Sequence, residues 1–425
     1  MEQKTPILGI ICGGGPAPGL NDVISAATLY ARRLKWTVIA FHDGFLHLSS
    51  GDVQKANENM IELTEASVSS ISRTAGSIIR TDRFDPTRSP RKIANTIKML
   101  SLFNVRYLVI IGGNDKIMCG HLITQGVDPS EMSVVVVPKT INNDVLVPNG
   151  FPTFGFDSAR VFGTKLINNL MMDARSAPRF FVVETMGKQT GHLALSLAEA
   201  SGAHLVIIPE DFPNKVELSD IVDIAQGAVI KRLSIGKNYG VIIISEGLVN
   251  KLTSVSLQSL FEMGFVTYGS DGQIIYDDAD LSRAIARELK RRFKRKGVAG
   301  VKFAPTKIGY ELRSAKPNSY DAVYAAELGY GAVEGLRLKH SNCIVARVDD
   351  GLTYCSFRSM MDPETGRINY RKVDVNSTQY KICRTYTYQL NKEDFDDPVK
   401  LKKLAETAKM SVYEFNNQFK KHVRI

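Results

Sequence analysis

Short runs of β-branched and aliphatic residues recur along the chain, separated by stretches of helical character. The clearest runs cover residues 7–12, 37–41, 107–111, 134–137, 181–184, 205–208, 241–245 and 342–347. They are continuously apolar instead of alternating, which is the pattern of strands covered on both faces in parallel sheets. Eight such units are too many for one comfortable sheet, so the pattern predicts two α/β domains. Ligands in such folds gather beyond the carboxyl ends of the strands. The segment NGFPTFGFDSAR, residues 149–160, reads as a loop and as the first crossing between domains. After Asn391 the pattern turns helical. Asp397 is placed to cap a helix with Pro398 at its first position, running to about Lys409, and Ser411 with Glu414 forms a capping-box pattern before a last helix. Along the basic run RELKRRFKRKG, residues 287–297, and just ahead of it, Ile285, Leu289 and Phe293 make a narrow apolar stripe, so the charges read as a solvated helix face.

Length and apolar content, 425 residues and 44%, allow two or three domains. No run of about 18 apolar residues occurs, which argues against a membrane span. The N-terminal segment lacks a basic flank and reads as a first strand, not a signal peptide. Five cysteines (Cys12, Cys119, Cys343, Cys355, Cys383), odd in number and without CxxC pairing, point to a reducing compartment, the cytoplasm by default. A formal charge of +10 favours anionic partners. No basic–aromatic interleaving or zinc-finger spacing supports nucleic acid, and the histidines lack metal spacing. Phosphorylated metabolites remain.

Three glycine-rich or polar loops directly follow predicted strands. GGGPAPGLN, beginning at Gly13, Gly14 and Gly15, leads into a helix, where close backbone approach and free N–H groups suit an anion. It could equally be an ordinary strand–helix turn or a dinucleotide loop, although the GxGxxG spacing is missing. GGNDK spans residues 112–116 and PKTINND spans residues 138–144.

As strings these loops resemble the phosphofructokinase family, in its pyrophosphate-using branch, which carries GGD at the first position and PKTIDND at the second. GGGPAPGLN resembles the family's opening loop, and HDGFLHL (residues 42–48) its YDGYLGL segment. The resemblance runs over roughly residues 7–340. It implies a phosphofructokinase-like α/β fold of two similar Rossmann-like three-layer domains, with parallel-rich sheets and the site in the cleft. The donor domain would comprise residues 1–150 completed by 311–385, the sugar domain 151–310, and a helical tail 386–425.

The resemblance also assigns roles. Gly13, Gly14, Gly15 and Arg83 would meet the phosphoryl donor, Arg83 bridging donor and sugar phosphates. Asp115 and Lys139 fit the pyrophosphate branch, the first crowding out a nucleotide's α-phosphate and the second neutralising pyrophosphate. On the sugar side stand Thr140, Asp144, Met186, Gly187, Lys188, Glu246, Tyr310 and Arg313, with Arg179 reaching the 6-phosphate or the transition state. Lys188 replaces the usual arginine, keeping charge but losing the bidentate fork. A further family arginine aligns with Ala304, which Lys302 or Lys307 could offset. The family's magnesium ligand is Asn114 here, and its proton acceptor is Asn142. An amide offers a hard cation only a neutral oxygen and takes no proton at neutral pH. Loss of a general base typically costs about 10²–10⁴ in rate. Lys116, where the family has Ser or Thr, either supplies part of the missing magnesium charge or points to solvent.

Two readings follow. One is a phosphotransferase making fructose 1,6-bisphosphate from fructose 6-phosphate and pyrophosphate (or ATP), with magnesium by family and catalysis impaired at Asn114 and Asn142. The other is a non-catalytic paralogue, a sugar-phosphate binder or a regulatory subunit in a hetero-oligomer with an active homologue. The resemblance further implies a homodimer or homotetramer, since family sugar sites borrow basic residues from a neighbouring subunit. Neither nucleic acid nor membrane is an expected partner.

Overall fold

The structure, a computed structural model, describes residues 5–269, 272, 274–275, 278–349 and 351–423. The first four residues of the N-terminal segment and the last two of the tail lie outside them. The described strands are β1 (Ile7–Cys12), β2 (Thr37–Phe41), β3 (Met60–Glu62), β4 (Val105–Gly112), β5 (Ser133–Pro138), β6 (Phe180–Thr185), β7 (Leu205–Ile207), β8 (Gly240–Ser245), β9 (Phe303–Ile308), β10 (Cys343–Val348) and β11 (Gly351–Ser356). The chain divides into two compact units, Met1–Ala159 with Tyr310–Arg371 and Arg160–Gly309 with Lys372–Ile425.

In the first unit β1, with neighbours on both sides, sends Leu8, Ile10 and Cys12 into one core and Ile11 into another. Helices Leu20–Arg33 and Ser319–Arg337 cover the first face, and Pro90–Leu102 and Asn114–Gln125 the second. Burial on both faces is why the strands read as unbroken apolar runs. The sheet order is β11-β10-β5-β4-β1-β2-β3, parallel except at its two edges, where β3 and β11 run antiparallel. The chain passes from β1 to β2 on one side and returns to β4 on the other. Between β1 and β4 the order reverses, the place where such sheets open a binding crevice.

The second unit holds a parallel sheet of order β7-β8-β6-β9. Its core takes in the stripe of the basic helix Leu281–Arg295, with Ile285, Leu289 and Phe293 all buried. The tail joins the same core: Leu401 and Leu404 from helix Pro398–Thr407, Phe415 and Phe419 from helix Val412–Phe419. Both caps read from the sequence form, with Asp397 accepting from Val399 N and Lys400 N, and Ser411 with Glu414 closing a capping box. Ahead of them, buried Asp211 accepts from Arg384 Nη2 at 2.5 Å and from the Tyr380 hydroxyl at 2.6 Å, tying helix Thr378–Tyr386 to the loop after β7.

The structure departs from the sequence pattern in two respects. Three strands, β3, β9 and β11, have no apolar run behind them, and all three are sheet edges. Pro305 within β9 is tolerated because an edge strand leaves one row of backbone groups unpaired. The loop read over 149–160 ends at Gly155, and helix Phe156–Ser176 begins there. Its first turn is held by Asp321, whose carboxylate accepts from Ser158 N at 2.6 Å. No described helix is long and apolar enough to cross a membrane.

Candidate functional site

Three loops leave the carboxyl ends of the adjacent strands β1, β4 and β5. The first begins at Gly13, whose N–H bonds the Ile111 carbonyl of β4 at 2.9 Å, and at Gly14, whose N–H bonds the Asp82 carbonyl at 2.8 Å. Gly14 sits at φ +88°, a conformation open chiefly to glycine. Arg83 is exposed and immediately follows Asp82. The loop runs into helix Leu20–Arg33.

The GGNDK loop follows β4 and starts helix Asn114–Gln125 in its own sequence. Asp115 is exposed on the first turn, whereas Lys116 is 2% exposed. The lysine stem runs beneath the glycine loop. A Cβ on Gly112 would lie 2.4 Å from its Cβ, and one on Gly13 would lie 2.6 Å from its Cε. Its ammonium donates to the Phe84 carbonyl at 2.6 Å and stands 5.6 Å from the centre of the Phe45 ring. Lys116 therefore points neither to solvent nor out of the loops. It is a buried cation under them.

In the PKTINND loop, Lys139 is 4% exposed, and its ammonium donates to the Gly15 carbonyl of the first loop. Its own N–H bonds the Gly112 carbonyl at 2.9 Å, so one residue links all three loops. Thr140 Oγ1 accepts from Asn142 N at 3.0 Å, and its carbonyl accepts from the Thr153 hydroxyl at 2.8 Å. Asn143 takes a left-handed φ of 57°, tolerated by asparagine, and its Oδ1 accepts from Thr153 N and Arg371 Nη1. Arg371 also donates to the Gly150 and Phe151 carbonyls, and its N–H bonds the Asp144 carbonyl. This clamp was not foreseen. Nothing marks a lone arginine 228 positions away from the loop it holds.

Asn114, Asn142 and Asp144 are all buried. Asn114 Nδ2 donates to the Asp144 carbonyl at 3.1 Å, which fixes the amide's orientation. Neither Asn114 Oδ1 nor Asn142 Oδ1 finds a hydrogen-bond partner among the described residues. Buried acceptors without a protein partner are costly, and a water or a ligand's donor would satisfy them. Tyr310 and Arg313 belong to this same unit. The Arg313 guanidinium lies 4.7 Å from the centre of the Tyr310 ring and 3.0 Å from where a Gly15 Cβ would stand.

The second unit gathers Met186, Gly187, Lys188 and Glu246 at the carboxyl ends of β6 and β8. Buried Glu246 accepts from Gly187 N at 2.9 Å and Lys188 N at 2.6 Å through Oε1. Lys188 is exposed at φ 50°, and Met186 packs on Gly309 after β9. Arg179 is not part of this group. It precedes β6, so the length of that strand, about 20 Å, separates it from the Met186 loop. There it lines a hollow of about 360 Å³ with Lys290, Val301, Lys302, Phe303 and Ala304. Lys302 thus accompanies Arg179, while the Lys307 ammonium donates to the Ala279 carbonyl. Behind the Met186 loop, Glu184 of β6 accepts from Ser282 N at 2.9 Å, and burial raises its carboxyl to about 7. The sequence reading passed over Glu184 because a carboxylate inside an apolar strand carries no motif.

A description of the phosphofructokinase family matches residues 7–336. The chain belongs to the phosphofructokinase family. It is 38% identical to the pyrophosphate–fructose 6-phosphate 1-phosphotransferase of Naegleria fowleri, over 98% of this chain and 96% of that one. The protein of the same name from Thermotoga maritima is 39% identical, over 97% of each. Among solved structures, the pyrophosphate-dependent phosphofructokinase from Marinobacter aquaeolei superposes with a TM-score of 0.66 at 17% identity, over 90% of each chain, a likeness of fold.

The magnesium that phosphofructokinases imply does not fit this donor set. Asp144 is the one carboxylate of PKTINND, and Asp115 is the one carboxylate of GGNDK. With Lys116 and Lys139, the two loops carry a net charge of zero. The phosphofructokinase pattern they resemble, with acids at positions 114, 115, 142 and 144 and one lysine, carries minus three. A hard divalent cation seeks anionic oxygens, and here it would meet two neutral amides beside a buried ammonium.

Proposed function

We propose that this phosphofructokinase-family chain binds pyrophosphate and fructose 6-phosphate, and that its phosphoryl transfer is slowed by the amide at Asn142. The observation that carries the donor assignment is Lys139, a buried ammonium seated on the glycine loop. Together with Asp115 on the first turn of the next helix, it favours a compact diphosphate over a nucleotide. The loop N–H groups and the helix N-terminus add donors for phosphate oxygens.

In the family reaction, the 1-oxygen of the sugar forms a bond to phosphorus as the bridging P–O bond of pyrophosphate breaks. Inorganic phosphate leaves, and the product is fructose 1,6-bisphosphate. Asn142 Oδ1 can accept a hydrogen bond from the 1-hydroxyl but cannot keep its proton. That proton passes to Asp144 or to water. Phosphoryl transfer depends chiefly on positioning and charge neutralisation, which the lysines and loop amides supply, so loss of the base slows the step without abolishing it. Glu246, Gly187, Lys188 and Met186 hold the sugar, and Tyr310 and Arg313 its 6-phosphate. Arg179 with Lys302 serves the sugar site of a second copy in a homodimer or homotetramer, since it lies a strand's length from the Met186 loop of its own unit. A second reading, a non-catalytic sugar-phosphate binder or a regulatory partner of an active homologue, is favoured by the two amides alone.

Titration of the chain with fructose 6-phosphate, pyrophosphate and ATP, followed by assays with either donor, tests the proposal. Binding of the sugar phosphate and of pyrophosphate in preference to ATP, with slow turnover, is expected. Tighter ATP binding refutes the donor assignment. Binding with no turnover at all favours the second reading.

A further inference from the structure

The mismatch between the loops and magnesium has a definite sense. Relative to the pattern they resemble, GGNDK and PKTINND are more positive by three charges, one more than a divalent cation brings. Two of these come from acid-to-amide changes at Asn114 and Asn142, and the third is Lys116. The Lys116 charge is not spent on solvent. It lies under the glycine loop with its stem against Gly13 and Gly112, bonded to a neutral carbonyl. The field of a buried ammonium reaches an anion above the loop with little screening.

The amides carry a second signal. Asn114 Oδ1 and Asn142 Oδ1 are buried acceptors without partners among the described residues, and the Asn114 amide cannot turn over without losing its bond to the Asp144 carbonyl. A fully ionised, metal-bound diphosphate presents only acceptors to such oxygens. A metal-free diphosphate near neutral pH keeps a proton, and its P–O–H is a donor. Carboxylates at these positions would repel that anion, whereas amides accept its hydrogen bond.

We propose that the donor site is built for metal-free, protonated pyrophosphate, with Lys116 and Lys139 carrying the charge that magnesium supplies elsewhere in the family and the Asn114 amide oxygen accepting the hydrogen bond of the anion's P–O–H. This rests on the pyrophosphate assignment made above.

Calorimetric titration of the full chain with pyrophosphate, once in excess EDTA and once in excess magnesium, tests it without reference to turnover. Binding in EDTA at least as tight as in magnesium is expected. The Asn114→Asp/Asn142→Asp variant, checked for folding by its melting curve, should lose about tenfold or more of the EDTA affinity and gain a dependence on magnesium. Binding by the unmodified chain only in magnesium overturns the inference and leaves the donor assignment standing. Failure to bind pyrophosphate under both conditions overturns the assignment itself, and the inference with it. If the variant does not fold, the comparison on the unmodified chain alone decides.

Discussion

Replacing Lys139 by methionine isolates the group on which the donor assignment depends. The side chain is 4% exposed and its ammonium bonds the Gly15 carbonyl, while its backbone N–H, untouched by the change, still bonds Gly112 O. Methionine keeps most of the stem, so packing changes little, and the melting curve separates any loss of stability from the loss of ligand affinity. The Gly15 carbonyl loses one partner at a half-exposed position where water can reach it. Ligand binding is affected differently. A hydrogen bond to a charged group is worth about 1.5–3 kcal/mol, so losing one such contact to a phosphate should weaken pyrophosphate about 10- to 150-fold. Calorimetry with pyrophosphate and with fructose 6-phosphate reads both affinities, and a melting curve reads the fold. The account requires a selective loss of pyrophosphate affinity in a chain that still melts cooperatively. Pyrophosphate affinity within about twofold of the unmodified chain, where at least about 1.5 kcal/mol is at stake, refutes the reasoning.

Two further substitutions address the supports of the site. Burial raises the Glu184 carboxyl from 4.5 to about 7, so the folded chain holds a proton that the unfolded chain has released. The associated stability is fully present below about pH 4.5 and is lost as pH rises to about 7, by about 3 kcal/mol. Glu184→Gln should flatten that part of the unfolding free energy against pH, and parallel curves for the two proteins contradict the assignment. In Gly112→Ala the new Cβ meets the Lys116 stem at 2.4 Å. The lysine must move, at a cost of about 1–3 kcal/mol by melting, and the EDTA affinity for pyrophosphate should fall with it. An unchanged melting temperature and affinity would contradict the close packing beneath the loop.

Much of the fold was legible because buried parallel strands write themselves as apolar runs, as in β1, β4, β5 and β8. Three of the four described edge strands do not. β3 and β11 lack a second buried face to demand apolar residues, and β9 carries Pro305, which only an edge accepts. Likewise the start of helix Phe156–Ser176 was hidden, since the capping carboxylate is Asp321, far away in sequence. At the site, the loops could be named from their strings, yet their supports could not. The string leaves Lys116 open between the site and solvent until the stem is seen against Gly13 and Gly112. Arg371 and Glu184 act through partners that only folding brings near.

The central claim is that the amide at Asn142 limits chemistry and not sugar binding. The most direct test is the turnover number with fructose 6-phosphate and pyrophosphate for the unmodified chain and for Asn142→Asp, alongside the dissociation constants of both ligands. The account predicts a gain of about 10²–10⁴ in kcat for the variant, with sugar affinity little altered. Turnover by the unmodified chain at about 1–100 per second, with no gain on restoring the carboxylate, would contradict it.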